Sequence, residues 1–217
     1  MMTTQFSDMI KGLDTVIDRI SSLSSDPMRP MVVAIDGASG AGKSTVSEML
    51  KSKLSAAVIP LDDFFSAHIP DAKWDEFSVE EKLEKVFDWN RLRTQALLPL
   101  LANQQAKWYA FDFNAGTQED GTYNLMAAGK TSEPAGVIII DGTYSASPHL
   151  AEVVNLTVLI DVPVQERHTR LYKREDPSFI RQWHKRWDVV EDFYFEQVRP
   201  KNSFDIIINA GLLPSKR

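Results

Sequence analysis

Residues 37–45 read Gly37-Ala38-Ser39-Gly40-Ala41-Gly42-Lys43-Ser44-Thr45, a run of small residues that ends in a cation and two hydroxyls. Glycines at this density let the backbone turn tightly, so that successive N–H groups converge on one anion. A lysine on a flexible stem can carry charge to the outer phosphates of a nucleotide, and a serine hydroxyl beside it suits the Mg²⁺ that accompanies them. The spacing Gly-x4-Gly-Lys-Ser fits the P-loop pattern at every defined position. The apolar run Met31-Val32-Val33-Ala34-Ile35 precedes it, and a helix is predicted to begin near Lys43 with its positive dipole end toward the phosphates. A chance turn of small residues would lack that strand and helix on either side. The expected ligands are therefore ATP and Mg²⁺, held by residues 37–45. No Asn-Lys-x-Asp guanine-reading motif and no Leu-Ser-Gly-Gly-Gln signature occurs, which disfavours a GTPase and an ABC-type ATPase.

The elements that must position this loop can be read from apolar periodicity. Ala56 to Leu61 ends in Asp62-Asp63, Val137 to Ile140 ends in Asp141-Gly142, and Leu156 to Ile160 and Phe204 to Ile208 complete the set. Continuous apolar runs of this length suit strands covered on both faces, hence a five-stranded parallel sheet with helices on each side. Ligands of such sheets gather at the strands' carboxyl ends, where these acidic residues lie. Asp141 thus becomes a candidate for supporting Mg²⁺ with Ser44, against the plainer reading of a turn-forming Asp-Gly. Arg167, Arg170 and Arg174 recur at helical spacing and share one face, either a lid over the phosphates or a solvated basic stripe.

Residues 1–29 form an amphipathic helix, with Phe6, Met9, Ile10, Leu13, Val16, Ile17, Ile20 and Leu23 on one side, expected to pack on the main domain. Ser24-Ser25-Asp26-Pro27 should end it. Residues 30–217 then make a single domain, with an insertion at about 66–135 and a lid at about 165–180. The insertion carries helices over 79–87 and 90–101, a hairpin around Trp108 to Phe113, and a polar loop over 114–134.

Composition narrows the field. Lys and Arg total 24 against 30 Asp and Glu, a net charge of -6 that argues against a nucleic-acid partner. With no cysteine, thiolate chemistry is excluded. The histidines, His68, His149, His168 and His184, are too scattered for metal-ligand spacing and read as packing or surface residues. No apolar run approaches a membrane span and no signal peptide opens the chain, so a cytoplasmic location away from membranes is expected. The sequence leaves a homo-oligomer open.

From Leu61-Asp62-Asp63-Phe64-Phe65 onward, the chain resembles the uridine kinase and phosphoribulokinase-like family of P-loop small-molecule kinases. The likeness continues through Phe87-Asp88-Trp89-Asn90, Tyr109-Ala110-Phe111-Asp112-Phe113, Asp141-Gly142-Thr143 and the three arginines, in order over roughly 31–209. The resemblance implies a nucleoside-kinase-like α/β fold and phosphoryl transfer from ATP to a hydroxyl of a small molecule. It implies that Asp62 faces the acceptor hydroxyl and that Asp88, Phe111 and Arg167 contact the substrate. Arg170 and Arg174 would act with Lys43 on the transferring phosphate. Asp88 also suits the N-cap of the following helix, and Trp183, Trp187, Phe193, Tyr194 and Phe195 suit packing. In the pyrimidine-reading enzymes a histidine and an arginine follow the Tyr-Asp-Phe segment. Here Asn114-Ala115-Gly116-Thr117-Gln118 follows instead, and Phe111 replaces the tyrosine. Another nucleoside, a vitamin-like alcohol such as pantothenate, a sugar, or a catalytically silent ATP-binding regulatory role therefore stay open.

Overall fold

The computed structural model describes residues 2–24 and 29–210. Most of the helix break expected at Ser24 to Pro27 falls outside them, as does the side chain of Phe6. Helix α1 (Met2–Leu23) is followed by β1 (Met31–Asp36), α2 (Lys43–Leu54) and β2 (Ala57–Pro60). Past the insertion come β5 (Val137–Asp141), β6 (Leu156–Asp161), α6 (Val164–Arg174), α7 (Pro177–Phe193) and β7 (Ile206–Asn209). The sheet runs β2-β5-β1-β6-β7 with every pairing parallel, which is the expected five-stranded α/β architecture.

Side-chain alternation splits this sheet into two cores. Val33 and Ile35 of β1, Val137 and Ile139 of β5, and Val158 and Ile160 of β6 face a layer that includes Val46 and Leu50 of α2 and Met9, Leu13, Val16 and Ile20 of α1. Val32, Ile138 and Ile140 face the other way, into a larger core that contains Phe64, Trp74, Trp108, Trp187 and Tyr194. With both faces covered, all six residues of β1 are buried.

The insertion differs in detail from the expected strands and helices. Strand β2 stops at Pro60, and residues Leu61–Phe64 form a 3-10 turn, which swings Asp62 out of the sheet. Helix α3 (Val79–Lys85) starts on a capping box between Ser78 and Glu81. The next helix, 89–101, is continuous but mixed: α4 (Trp89–Leu92), a π-turn (Arg93–Leu97) and α5 (Leu98–Leu101). Pro99 explains the π-turn, because its ring clashes with the carbonyl four residues back, at Gln95. Strands β3 (Ala106–Trp108) and β4 (Lys130–Ser132) pair antiparallel, and isolated bridges at Phe111–Leu125 and Thr117–Tyr123 continue the pairing. Residues 114–134, expected as a loop, are therefore in large part the hairpin's tip and return leg.

Candidate active site

The loop between β1 and α2 brings its backbone together as the motif requires. Gly40 and Gly42 hold φ of 80° and 94°, a region that side chains resist, and Gly42 stands at the N-cap of α2. A Cβ on Gly40 would meet the Arg167 carbonyl at 2.7 Å, so α6 lies directly against the loop. The Lys43 ammonium donates to the Gly37 carbonyl at 2.8 Å, the Ala38 carbonyl at 3.2 Å and Thr143 Oγ1 at 2.9 Å. Lysine, loop and the segment after β5 are thereby tied together.

Three carboxylates stand at or just beyond the strand ends. Asp36 is fully enclosed: one oxygen accepts from the Gly37 and Tyr144 N–H groups, and the other from the Ala146 N–H and the Tyr194 hydroxyl. Burial pushes its pKa up, while these donors pull it back. Asp141 is buried at the end of β5, where desolvation raises its pKa to about 6 against the pull of Lys43 and the Ser44 hydroxyl. Its Oδ1 is buried without a hydrogen-bond partner. An orphaned carboxylate oxygen beside Ser44 fits an oxygen-seeking divalent cation, so Asp141 and Ser44 are the residues that would hold Mg²⁺. Asp62 retains solvent-accessible surface, yet the protein crowding the cleft desolvates it and raises its pKa. Lys43 and Arg174 oppose that rise and Asp63 adds to it. Asp62, Asp141 and Lys43 thus share one field.

Asp63, by contrast, is a structural anchor. Its carboxylate accepts from Trp108 Nε1 at 2.7 Å and from Lys130 at 2.8 Å, and its backbone binds Phe111 and Arg91, which fastens the hairpin to β2. Asp88 caps α4, accepting the Arg91 N–H at 2.9 Å, while its side chain stays partly open. Phe111 is buried among Phe65, Phe113 and Tyr123. Of the arginines on α6, only Arg174 is largely exposed, and it acts on Asp62. Arg167 donates to the Ser39 carbonyl at 3.0 Å, and Arg170 to the Gly40, Ala41 and Ala210 carbonyls at 3.3, 3.1 and 3.2 Å. The structure therefore places these two guanidinium groups on backbone carbonyls of the loop and of Ala210. The cause is the close seat of α6 against Gly40.

No protein-family model matches the chain. It is 26% identical over 200 residues to uridine kinase of Bacillus cereus (strain AH187), covering 87% of this chain and 82% of that one. Uridine kinase of Mycoplasma pneumoniae (strain ATCC 29342 / M129 / Subtype 1) is 23% identical over 194 residues, covering 84% and 86%. Among solved structures, a possible uridine kinase from Bacillus stearothermophilus superposes with TM-score 0.63 at 20% identity, covering 92% and 98% of the two chains. The chain is a P-loop small-molecule kinase that resembles uridine kinases in sequence. A Silicibacter sp. TM1040 protein, proposed as a fructose transport system kinase, shares the fold with TM-score 0.61 at 21% identity, with the same coverage of 92% and 98%.

Several groups of this kinase's site escape a sequence reading. Glu191 on α7 is buried and accepts the Ser39 N–H, at 3.1–3.2 Å, and the Ser39 hydroxyl, with Arg167 3.6 Å away. Burial raises its pKa, while Ser39, Lys43 and Arg167 lower it. Nothing at position 191 announces this, because its partner lies 152 residues earlier. A cavity of about 680 Å³ opens beside Glu191, Arg167 and Ala38, and its lining contains none of Lys43, Ser44, Asp62 or Asp141. Two of the four histidines, scattered in sequence, are brought together by the fold. His168, His184 and Asp188 offer donor atoms within 4.8 Å of one another, with a 2.8 Å bond from His184 Nδ1 to Asp188. Only the packing of α6 on α7 makes them neighbours. Among the described residues, no helix is long and apolar enough to cross a membrane.

Proposed function

We propose that this kinase phosphorylates a hydroxyl of a nucleoside, with Asp62 as the acceptor-side carboxylate. The observation that carries the reading is the electrostatic proximity of Asp62 and Asp141 to Lys43, with Asp62 the exposed carboxylate of the two. Phosphoryl transfer is largely dissociative, so the chain's main task is to align the partners and stabilise charge. The loop N–H groups and Lys43 grip the donor phosphates. Asp62 orients the acceptor oxygen and takes its proton as the new P–O bond forms, a task that a raised pKa suits. When bound, Mg²⁺ supplies charge neutralisation on the phosphate oxygens; Ser44 and Asp141 would support it. Arg174, exposed at the end of α6 and paired there with Glu175, is the lid residue best placed to add charge during transfer.

Two features support a nucleoside acceptor. The proteins it resembles in sequence are uridine kinases. The hairpin leaves Phe113 half-exposed beside Phe65 and Phe111, an exposed aromatic ring of the kind a base stacks on. Against uridine in particular, the pyrimidine-reading histidine and arginine are missing, and a site that lacks such hydrogen bonds discriminates poorly. That absence favours, as second reading, a non-nucleoside alcohol such as pantothenate or a sugar. ADP release measured across nucleosides, sugars and vitamin alcohols separates the two. On the productive substrate, Asp62→Asn is expected to lower kcat by about a thousandfold while binding of ATP with Mg²⁺ persists. Undiminished turnover would remove Asp62 from the mechanism. Binding of ATP with Mg²⁺ but no stimulation by any alcohol would instead indicate a nucleotide-sensing role.

A further inference from the structure

The outward-facing backbone of the phosphate loop is held by a set of side chains from the two helices that follow β6. Arg167 takes the Ser39 carbonyl, Arg170 takes those of Gly40 and Ala41, and Glu191 takes the Ser39 N–H and hydroxyl. Peptide units are planar and trans, so a carbonyl directed outward sends the next residue's N–H the opposite way. Holding the Ser39 and Ala41 carbonyls on α6 therefore aims the Gly40 and Gly42 N–H groups at the loop's interior. Ser39 is clamped on both its amide and its carbonyl, by a carboxylate and a guanidinium that themselves stand 3.6 Å apart. Glu191 is 5% exposed and belongs to α7, a separate helix from the arginines, so it completes the clamp from a second direction.

We infer that Glu191 is a positioning residue for phosphate binding: with Arg167 and Arg170 it braces the loop from outside and fixes its N–H groups before the nucleotide arrives. Preorganised donors bind charge without the cost of reorienting at the moment of binding. The brace also divides the lid. The first two turns of α6 are fastened to the loop, and the free part begins beyond Arg170, where Arg174 stands. This inference rests on the reading of the loop as a nucleotide site.

Calorimetric titration of the full chain with ADP and Mg²⁺ tests it, alongside melting temperatures without nucleotide. Glu191→Ala is expected to weaken ADP binding about tenfold or more, since it leaves the Ser39 N–H and hydroxyl without their acceptor and Arg167 without its counter-charge, with a melting temperature within a few degrees of wild type. In Glu191→Gln the amide oxygen still accepts the Ser39 N–H, and affinity should return to within about threefold of wild type. Ser39→Ala removes the hydroxyl half of the contact from the loop side, and a loss of about threefold is expected. Wild-type affinity in Glu191→Ala would overturn the inference. So would a glutamine variant no better than alanine, with affinity and melting temperature falling together, the signature of a merely structural residue. Should Glu191→Ala fail to fold, unchanged affinity in Ser39→Ala would overturn it equally. If the wild type itself does not bind ADP, the nucleotide reading is what falls.

Discussion

Asp141 carries a cost that its surroundings do not cancel. Its folded-state pKa of about 6 lies above the ordinary 3.8, because burial penalises the ionised form more than Lys43 and Ser44 favour it. Between those values the folded chain holds a proton that the unfolded chain has released, so stability falls as pH rises through the window and levels off above it. Asp141→Asn is uncharged throughout. In metal-free buffer it should match wild type near pH 4 and become more stable by on the order of 3 kcal/mol above pH 6, while binding ADP with Mg²⁺ more weakly. Denaturant midpoints across that range decide it, and equal midpoints at pH 7 would contradict the burial cost. Asp141 and the glycine loop were legible because local signals mark them: an apolar run before an acidic residue, and glycines at fixed spacing. Asp36 was not. It sits at the end of a strand as Asp141 does, but its four donors close the site, and one of them, Tyr194, lies 158 residues away. Strand-end acids look alike in sequence; whether an oxygen is left unsatisfied depends on what folds over it.

Helix α6 shows the same division at the level of an element. The spacing of Arg167, Arg170 and Arg174 correctly implied a shared helical face, since periodicity follows from backbone geometry alone. What that face meets was not readable: its first two arginines end on loop carbonyls, because the helix seats against Gly40, and only the third stays exposed and acts on Asp62 through its charge. Arg174 should therefore behave differently from its neighbours. Arg174→Ala is expected to lower kcat by about tenfold to a hundredfold through lost charge stabilisation in the transition state, with ADP affinity within twofold of wild type. Arg170→Ala should instead raise the KM for ATP. Single-turnover rates and ADP titrations on the two variants separate these behaviours; identical profiles would mean that α6 acts as one rigid lid. The hairpin was likewise half legible. Aromatic residues around 108–113 signalled the first leg, whereas the return leg over 123–132 takes its register from pairing with the first.

At the scale of the molecule, α1 closes one face of the sheet. Met9, Leu13, Val16 and Ile20 lie one turn or so apart and are at most 3% exposed. They pack into the core that holds β1, β6 and β7, and Gly12 lets the helix approach so closely that a Cβ there would stand 2.9 Å from Ile208. Strand β7 is an edge strand, and its inward Ile208 has α1 as its cover. Burying an aliphatic side chain is worth about 1.5–3 kcal/mol, so four approach the whole net stability of a typical domain. Deleting residues 1–24 should thus yield a chain that aggregates or unfolds, even though every residue assigned to the phosphates and the acceptor remains. Leu13→Ala is the graded form of the same test and should cost about 2–5 kcal/mol in denaturant unfolding, with ADP affinity unchanged in the fraction that stays folded. A truncated chain that melts at the wild-type temperature would make α1 an appendage. A Leu13→Ala protein of normal stability but weakened ADP binding would tie the helix to the site instead, through β1, whose end carries both Asp36 and the loop.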